Sequence, residues 1–159
     1  MRRFAALLLG LAVAALPFAA GADDERVRGR ALVESGDTLV VAGQRIRLYG
    51  IDAPEKGQRC KWPNKVIDCG NISRTALLDL IAPVEVACRR RRTTEDGTWI
   101  GTCKAEGFDV GTNMVHTGWA VAVPDDPAGY ASIQAKAKAG RRGLWRGSFE
   151  MPWDWRRRQ

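Results

Sequence analysis

One stretch of the sequence decides how the rest is interpreted: residues 35–55 read SGDTLVVAGQRIRLYGIDAPE. The apolar side chains along it recur at the spacing of short strands: Leu39, Val40, Val41, Ile46, Leu48 and Ile51. Gly36 and Gly43 lie among small residues that are typical of tight turns, and Pro54 keeps the last part of the stretch out of a helix. The stretch therefore predicts short strands that are joined by tight turns.

Three carboxylates and one guanidinium group lie along the same stretch. Asp37 follows a glycine at a turn, and Arg47 lies on a strand. Asp52 and Glu55 flank the start of the next loop. If these segments are neighbours, the carboxylates form a site for a hard cation such as Ca²⁺, and the arginine can bind a phosphate. A carboxylate that the metal does not need can orient a water molecule. The alternative is a polar loop of solvated acids, and spacing alone does not decide between the two.

The sequence on either side of this stretch predicts an α+β domain. Periodicity and turn signals indicate strands from Val27, then an irregular loop over 52–70 and a helix over 71–81. A hairpin with strands over 84–92 and 98–105 follows. Two more helices are predicted, a short one over 111–116 and one from Asp126 to Ala139 that is capped by Gly140. Five strands wrapped by about three helices predict a small closed β-barrel of the OB type.

The C-terminal segment is rich in aromatic and basic residues. Its apolar side chains are expected to cover the core: Leu144, Trp145, Phe149, Trp153 and Trp155. We expect the basic run 156–158 to be a disordered end. The sequence thus divides into a leader (1–22), a barrel domain (23–148) and a tail (149–159).

The first 22 residues have the pattern of a cleaved secretory signal peptide. Arg2 and Arg3 precede an apolar run, which ends in small residues at Ala22. A transmembrane anchor is the alternative, but Pro17 breaks the run. We therefore expect an exported monomer, periplasmic or secreted, that starts near Asp23 and leaves the membrane. The net charge of +7 falls by two with the leader, and a basic domain suits anionic partners.

The four cysteines predict two disulfides, because an exported chain meets an oxidising environment. Cys88 and Cys103 lie at equal distances from the turn between the two hairpin strands, so they are expected to pair. Cys60 and Cys69 then close a short loop. A zinc site would need closer cysteine pairs. The single histidine, His116, excludes catalysis by paired imidazoles and is expected to be structural or exposed.

Several of these motifs resemble one family. They are Ser35-Gly36-Asp37-Thr38, the run from Arg47 to Glu55, Gly118-Trp119-Ala120 and Gly143-Leu144-Trp145. Together they resemble the signature of the thermonuclease (staphylococcal nuclease) family from about Val27 to Trp145. The resemblance implies an OB-fold barrel and Ca²⁺-dependent cleavage of DNA and RNA, preferably single-stranded.

The resemblance also assigns roles to residues of this sequence. It implies that Asp37 and Asp52 are the Ca²⁺ carboxylates, with the backbone carbonyl of Ala53 as a further ligand. Arg47 would bind the phosphate and stabilise the charge that develops on it. Glu55 would orient or deprotonate the attacking water.

This sequence departs from the family pattern in the second hairpin. The position of the family's second active-site arginine is Thr98 here, and Glu95 and Asp96 add negative charge beside it. The aromatic residue that stacks on a base is missing from 121–126, and Ser35 replaces an acidic residue next to Glu34. These departures predict reduced activity, because one lost phosphate contact can cost about 10²–10³ in rate.

A run of four arginines, Arg89, Arg90, Arg91 and Arg92, lies on the other strand of that hairpin. One of them could supply the missing phosphate contact. The competing interpretation, which we prefer, is a solvated basic strand with alternating faces.

Three functions are consistent with the sequence. The first is an exported Ca²⁺-dependent nuclease, supported by the presence of Asp37, Arg47, Asp52 and Glu55. The second is a barrel that binds nucleic acid or another polyanion without cutting it, supported by Thr98. The third is a disulfide-stabilised envelope domain with a protein or polysaccharide partner.

Overall fold

The structure, a computed structural model, describes residues 25–125 and 127–159. The predicted signal peptide and the predicted helix N-cap Asp126 lie outside the described residues. The strands are β1 (Arg26–Gly29), β2 (Ala31–Val33), β3 (Thr38–Val41), β4 (Gln44–Leu48), β5 (Ile51–Asp52), β6 (Arg59–Trp62), β7 (Lys65–Asp68), β8 (Val86–Thr93), β9 (Trp99–Ala105), β10 (Phe108–Asp109) and β11 (Val121–Ala122). The helices are α1 (Cys69–Ile81), α2 (Val110–Thr117), α3 (Ala131–Ala139) and α4 (Pro152–Arg156).

The main sheet is a nearly closed barrel. Its strand order is β1-β8-β9-β4-β3-β2, and all neighbours are antiparallel except β4 and β9, which are parallel. Only Arg30 separates β1 from β2, so they are two halves of one bent strand, which pairs with β8 at one end and with β3 at the other. The ring therefore contains five strands, and the prediction of an α+β OB-type barrel is confirmed.

Alternate side chains of the strands point into the barrel, and those that do so are mostly apolar. Leu39, Ile46 and Val86 are fully buried there, and α1 and α2 add Leu77 and Met114 to the same cluster. None of the helices in the described part of the chain is long and apolar enough to cross a membrane.

The second hairpin forms as the sequence predicts, from β8 and β9. Cys88 lies directly opposite Cys103 in the strand register, and the two form a disulfide. The other disulfide joins Cys60 to Cys69. All four cysteines are therefore paired, and the zinc alternative does not apply.

The prediction of an irregular loop over 52–70 is wrong for its second half. Strands β6 and β7 form a small antiparallel hairpin there, with Pro63 and Asn64 between them. The fixed backbone of a proline favours such a turn. The first helix begins at Cys69, where the side chain of Asp68 accepts a hydrogen bond from the Asn71 N–H (2.9 Å) and caps it.

The helix predicted from Asp126 begins five residues later, at Ala131, and ends as predicted at Gly140. Gly129 has a φ of +75°, a conformation that interrupts a helix, and residues 127–128 form a turn instead. The short helix α2 ends at Gly118, whose left-handed backbone (φ +78°) caps it. His116 lies exposed in its last turn, beside the guanidinium group of Arg142.

The C-terminal segment packs against the barrel. A second apolar cluster joins Cys60, Ile67 and Val121 to partly buried aromatic side chains, which include Trp145, Phe149 and Trp153. A backbone pair between Lys61 and Ser148 fixes the approach of this segment. Proline at the first position then starts α4. The tail aromatics named here cover the core as predicted.

Candidate active site

Three neighbouring segments position the acidic side chains. Asp37 follows a turn whose Gly36 packs so closely on α1 that a Cβ there would lie 1.8 Å from Ser73 Oγ. The Asp37 carbonyl accepts a hydrogen bond from the Leu48 N–H (2.8 Å), which ties the turn to β4. Asp52 ends β5 and pairs with Val121 of β11. Both aspartates are therefore held by backbone contacts and buried, at 5% and 2% exposure.

Arg47 connects the two aspartates. Its Nε lies 3.4 Å from Asp37 Oδ2, and its Nη2 lies 3.1 Å from Asp52 Oδ1. Arg47 is opposite Thr38 in the β3–β4 register, which places its side chain next to Asp37. The structure thus brings together the turn at 36–37, the strand β4 that carries Arg47, and the end of β5.

Asp37 is strongly desolvated. Burial raises its pKa above the usual value, and the nearby charge of Asp52 adds to this effect. The Arg47 guanidinium acts in the opposite direction, as do hydrogen bonds from the hydroxyls of Ser35 (2.7 Å) and Thr38 (2.9 Å). Both buried carboxylates therefore depend on nearby positive charge, which Arg47 supplies to each of them.

The donor set suits a hard cation but is sparse. Within residues 25–125 and 127–159, no group of three or more His, Cys, Asp or Glu side chains is arranged to hold a metal. The predicted ligands Asp37, Asp52 and Ala53 are all buried, and the first two supply carboxylate oxygens. Oxygen donors of this type fit Ca²⁺, with water completing the coordination.

Glu55 lies on the open side of the site. Its backbone N–H donates to Gln58 Oε1 (3.1 Å), and its side chain is 31% exposed. Gln58 is fully buried and also donates from Nε2 to the Glu150 carbonyl (2.7 Å). One amide side chain therefore connects the Glu55 loop to the C-terminal segment.

Arg156 is a site residue that the sequence analysis missed. Its Nη1 donates to Asp52 Oδ1 (2.9 Å), its Nη2 to Asp52 Oδ2 (2.6 Å), and it also contacts Glu55. Hydrogen bonds to Asp52 raise the pKa of its guanidinium further above its usual value. The expectation of a disordered basic end is thus wrong for Arg156, because α4 packs on the barrel. Pro152, a helix-start signal just before Trp153, is the sequence feature that could have indicated this.

These side chains surround open space. A cavity of about 270 Å³ is lined by Asp37, Arg45, Arg47, Glu55 and Arg156, among others. An adjoining groove of about 470 Å³ shares Arg47 and Arg156 with it and adds Arg92, Arg157 and Trp153. Pro124 and Val123, from the segment that lacks the expected aromatic ring, also line the groove.

Thr98 belongs to a closed turn rather than to the cavity wall. Its N–H and its hydroxyl both donate to the carboxylate of Asp96, at 3.2 and 3.1 Å. The hydroxyl also accepts a hydrogen bond from Arg45 Nη1 (3.2 Å), and Arg45 pairs with Glu34 (2.7 Å). Arg45 is therefore held at this turn by Thr98 and Glu34.

The four arginines of β8 have different surroundings. Arg92 lines the groove beside Arg47, whereas Arg89 and Arg91 line a separate pocket with Arg26 and Lys104. Arg90 pairs with Glu25 (3.1 Å). Of the four, Arg92 is the one placed along the groove that contains Asp52.

Residues 45–147 match the family model described as staphylococcal nuclease homologue. The chain is also similar to the succinoglycan biosynthesis protein ExoI of Rhizobium meliloti (strain 1021), with 38% identity over 131 residues, which are 79% of this chain and 68% of that protein. It is 34% identical over 128 residues to the probable staphylococcal-like nuclease CAN2 of Oryza sativa subsp. japonica, covering 79% of this chain and 32% of the rice protein. An uncharacterized endonuclease of Escherichia coli O157:H7 is 31% identical over 142 residues, 84% of this chain and 87% of that protein.

Proposed function

Because this chain belongs to the staphylococcal nuclease homologue family, we propose that it is a Ca²⁺-dependent nuclease that hydrolyses phosphodiester bonds of DNA and RNA. The observation that carries the proposal is the pair of buried aspartates joined by Arg47, with Glu55 in the same cavity. This arrangement combines a cation site, a phosphate-binding group and a base.

Each residue has a defined task in this reaction. Asp37, Asp52 and the Ala53 carbonyl would hold Ca²⁺, which offsets negative charge on the phosphate when it is bound. Arg47 exchanges its contact with Asp52 for a phosphate oxygen and stabilises the charge that develops there. Glu55 accepts a hydrogen bond from the attacking water and takes its proton as the water oxygen bonds to phosphorus. One P–O ester bond breaks in the same displacement, and the leaving oxygen takes a proton from solvent.

The surroundings of the site support further parts of the proposal. Two disulfides are typical of proteins in oxidising compartments, so we infer that the protein is exported and acts in the periplasm or outside the cell. A groove lined by arginines and apolar side chains suits a single strand, whose bases are exposed. We further infer that the protein is a monomer. Because Thr98 replaces an arginine, we also infer that its activity is reduced.

The test is cleavage of heat-denatured DNA by the oxidised protein in the presence of Ca²⁺. Controls are EGTA in place of Ca²⁺ and the variant Asp52→Asn. Cleavage that is lost in both controls supports the proposal. No cleavage above the controls, at protein concentrations that saturate DNA binding, contradicts it.

A second candidate function is binding of a polyanion without cleavage. The observation that favours it is Thr98, which is held in a closed turn where the family pattern has an arginine. Because the chain is similar to a protein named for succinoglycan biosynthesis, succinoglycan is a second ligand to test beside nucleic acid. Binding that weakens steeply with salt, without cleavage and without an effect of Glu55→Gln, would identify this function.

A further inference from the structure

The site contains a second guanidinium group that comes from outside the matched segment. Arg156 follows residues 45–147 in the chain, and it contacts both Asp52 and Glu55. We propose that Arg156 is a second phosphate-binding catalytic arginine, which restores part of the phosphate binding that is lost with the arginine missing at Thr98. This inference rests on the proposed function.

Two guanidinium groups converge on one atom. Asp52 Oδ1 accepts hydrogen bonds from Arg47 Nη2 (3.1 Å) and from Arg156 Nη1 (2.9 Å). Both arginines therefore reach the same point beside the proposed metal position. A phosphate oxygen at this point can be bound by both groups at once, and paired guanidinium contacts are strong ones for phosphates.

The other nearby arginines are less well placed. Arg45 donates to Glu34 and to Thr98, on the hairpin side of the cavity. Arg92 lines the groove but not the smaller cavity that holds Glu55. Arg156 lines both spaces, so it can contact a phosphate that also meets the water-activating carboxylate.

The fold holds Arg156 in position. Trp153 packs into the second apolar cluster one turn earlier on α4. The Glu150 carbonyl, just before this helix, is bound by the buried Gln58 side chain, which also binds the Glu55 N–H. The arginine and the carboxylate are thus fixed by a shared anchor, as a pre-organised site requires.

Arg156 can exchange its contact with Asp52 for one with a phosphate, because its side chain is partly exposed to solvent. Its side chain is 35% exposed, whereas that of Asp52 is 3% exposed. When a divalent cation compensates the charge of Asp52, the guanidinium group no longer needs that carboxylate. It can then bind the incoming phosphate without a change in the backbone.

The experiment compares Arg156→Gln and Arg156→Lys with Arg158→Ala, using the full protein with both disulfides formed. Arg158 pairs with Glu150 and serves as the matched control from the same segment. Two experiments are done with Ca²⁺. Cleavage of single-stranded DNA gives kcat and KM, and calorimetry gives the Kd of a deoxynucleoside 3′,5′-bisphosphate. Thermal melts with Ca²⁺ show whether each variant is folded.

For Arg156→Gln we expect kcat to fall about 10²–10³-fold, the usual cost of one lost contact to a developing charge. The bisphosphate should bind more weakly by about tenfold or more, and Arg156→Lys should recover part of both losses because it keeps the charge. Arg158→Ala should match the wild type.

A purely structural ion pair gives a different result. In that case Arg156→Gln lowers the melting temperature but leaves kcat and bisphosphate affinity at wild-type values, and the proposal is overturned. If the wild-type protein does not cleave DNA, the proposed function fails, and the bisphosphate titration still decides whether Arg156 binds phosphate.

Discussion

The carboxylate of Asp52 accepts hydrogen bonds from Arg47, from Arg156 and from the Ala53 N–H. These donors come from β4, from α4 and from the residue that follows Asp52. All of them compensate a charge that burial would otherwise make costly. The same carboxylate can therefore be satisfied either by the protein's own cations or by a metal.

This residue leads to a prediction about metal binding. Ca²⁺ at about 100 times its Kd should stabilise the wild-type protein by about 2.7 kcal/mol, because it binds only the folded state. Asp52→Asn should abolish this stabilisation, because it removes a charged ligand. Thermal melts with Ca²⁺ or EGTA measure the effect.

Asp79→Asn, on the exposed face of α1, is the control and should keep the full Ca²⁺ effect. An equal Ca²⁺-dependent rise in melting temperature for wild type and Asp52→Asn would show that the ion binds elsewhere.

Single residues of the site were predictable from sequence only where the geometry is local. Arg47 and Asp52 are five positions apart on adjoining strands, so a short motif fixes their distance. The contact between Arg156 and Asp52 spans 104 positions and depends on how the tail packs. No local pattern encodes such a contact, and a run of three arginines resembles a solvated end.

At the scale of elements, the turn between β8 and β9 is closed by Asp96. Hydrogen bonds from Thr94 and from Thr98 lower the pKa of this carboxyl below its usual value of 3.8. A folded-state pKa that is lowered adds stability above the unfolded-state pKa, and this stability is lost as the pH falls through the folded-state pKa.

Asp96→Asn should therefore lower the melting temperature at pH 7, and the difference from wild type should shrink as the pH falls below about 4. Glu95→Gln, its neighbour in the turn, is the control for a change in net charge. A difference in melting temperature between Asp96→Asn and wild type that stays the same at all pH values would contradict this account of the turn. The effect is expected to be small, because the group is exposed.

Another element-scale prediction concerns Gln58, which joins the loop of Glu55 to the segment before α4. Gln58→Leu leaves the Glu55 N–H and the Glu150 carbonyl without this partner, so it should cost about 1–3 kcal/mol in unfolding free energy. It should also lower kcat, because both Glu55 and Arg156 lose their anchor.

Denaturant unfolding and cleavage assays measure the two effects. Gln44→Ala, whose side-chain hydrogen bonds are exposed, should change either quantity much less. A variant that is destabilised yet cleaves at the wild-type rate would show that Gln58 supports the fold and not the site.

Elements with a local signal at each end were predicted well. The helix ends at Gly118 and Gly140 and the β8–β9 hairpin are examples, because caps and turns are properties of a few consecutive residues. The β6–β7 hairpin was missed because its strands are only four residues long, flank Pro63, and are held by Cys60–Cys69 and the tail.

At the scale of the whole molecule, the two disulfides stabilise different regions. Cys88–Cys103 lies within the barrel, whereas Cys60–Cys69 lies between the Glu55 loop and α1. Each closes a short loop, so removal of either should cost about 2–3 kcal/mol in unfolding free energy.

The paired variants Cys60→Ser/Cys69→Ser and Cys88→Ser/Cys103→Ser should therefore be similar in stability and different in activity. We expect the first to cleave more slowly, because the sulfur of Cys69 and the carbonyl of Gln58 lie within 3.2 Å of each other, next to the loop of Glu55. Denaturant unfolding and cleavage rates at a temperature where both variants are folded provide the measurement. Equal cleavage rates for the two paired variants would show that the Cys60–Cys69 disulfide does not support the site.

The barrel as a whole was predictable because strand spacing, turn residues and the family motif agree with one another. Its closure through one bent strand follows from the pairing of β1 with β8 and of β2 with β3. That the tail aromatics cover the core was predicted from sequence. That α4 then brings Arg156 to Asp52 was not, since this contact joins distant parts of the chain.

The location of the Cys60–Cys69 disulfide also matters to the cell that makes the protein. On the proposed function, a chain made where thiols remain reduced lacks this bond until it is exported. Before the bond forms, β6 and the start of α1 have no covalent link next to the loop of Glu55. A nuclease of the proposed kind whose activity matures together with this bond would spare the nucleic acids of the cell that makes it.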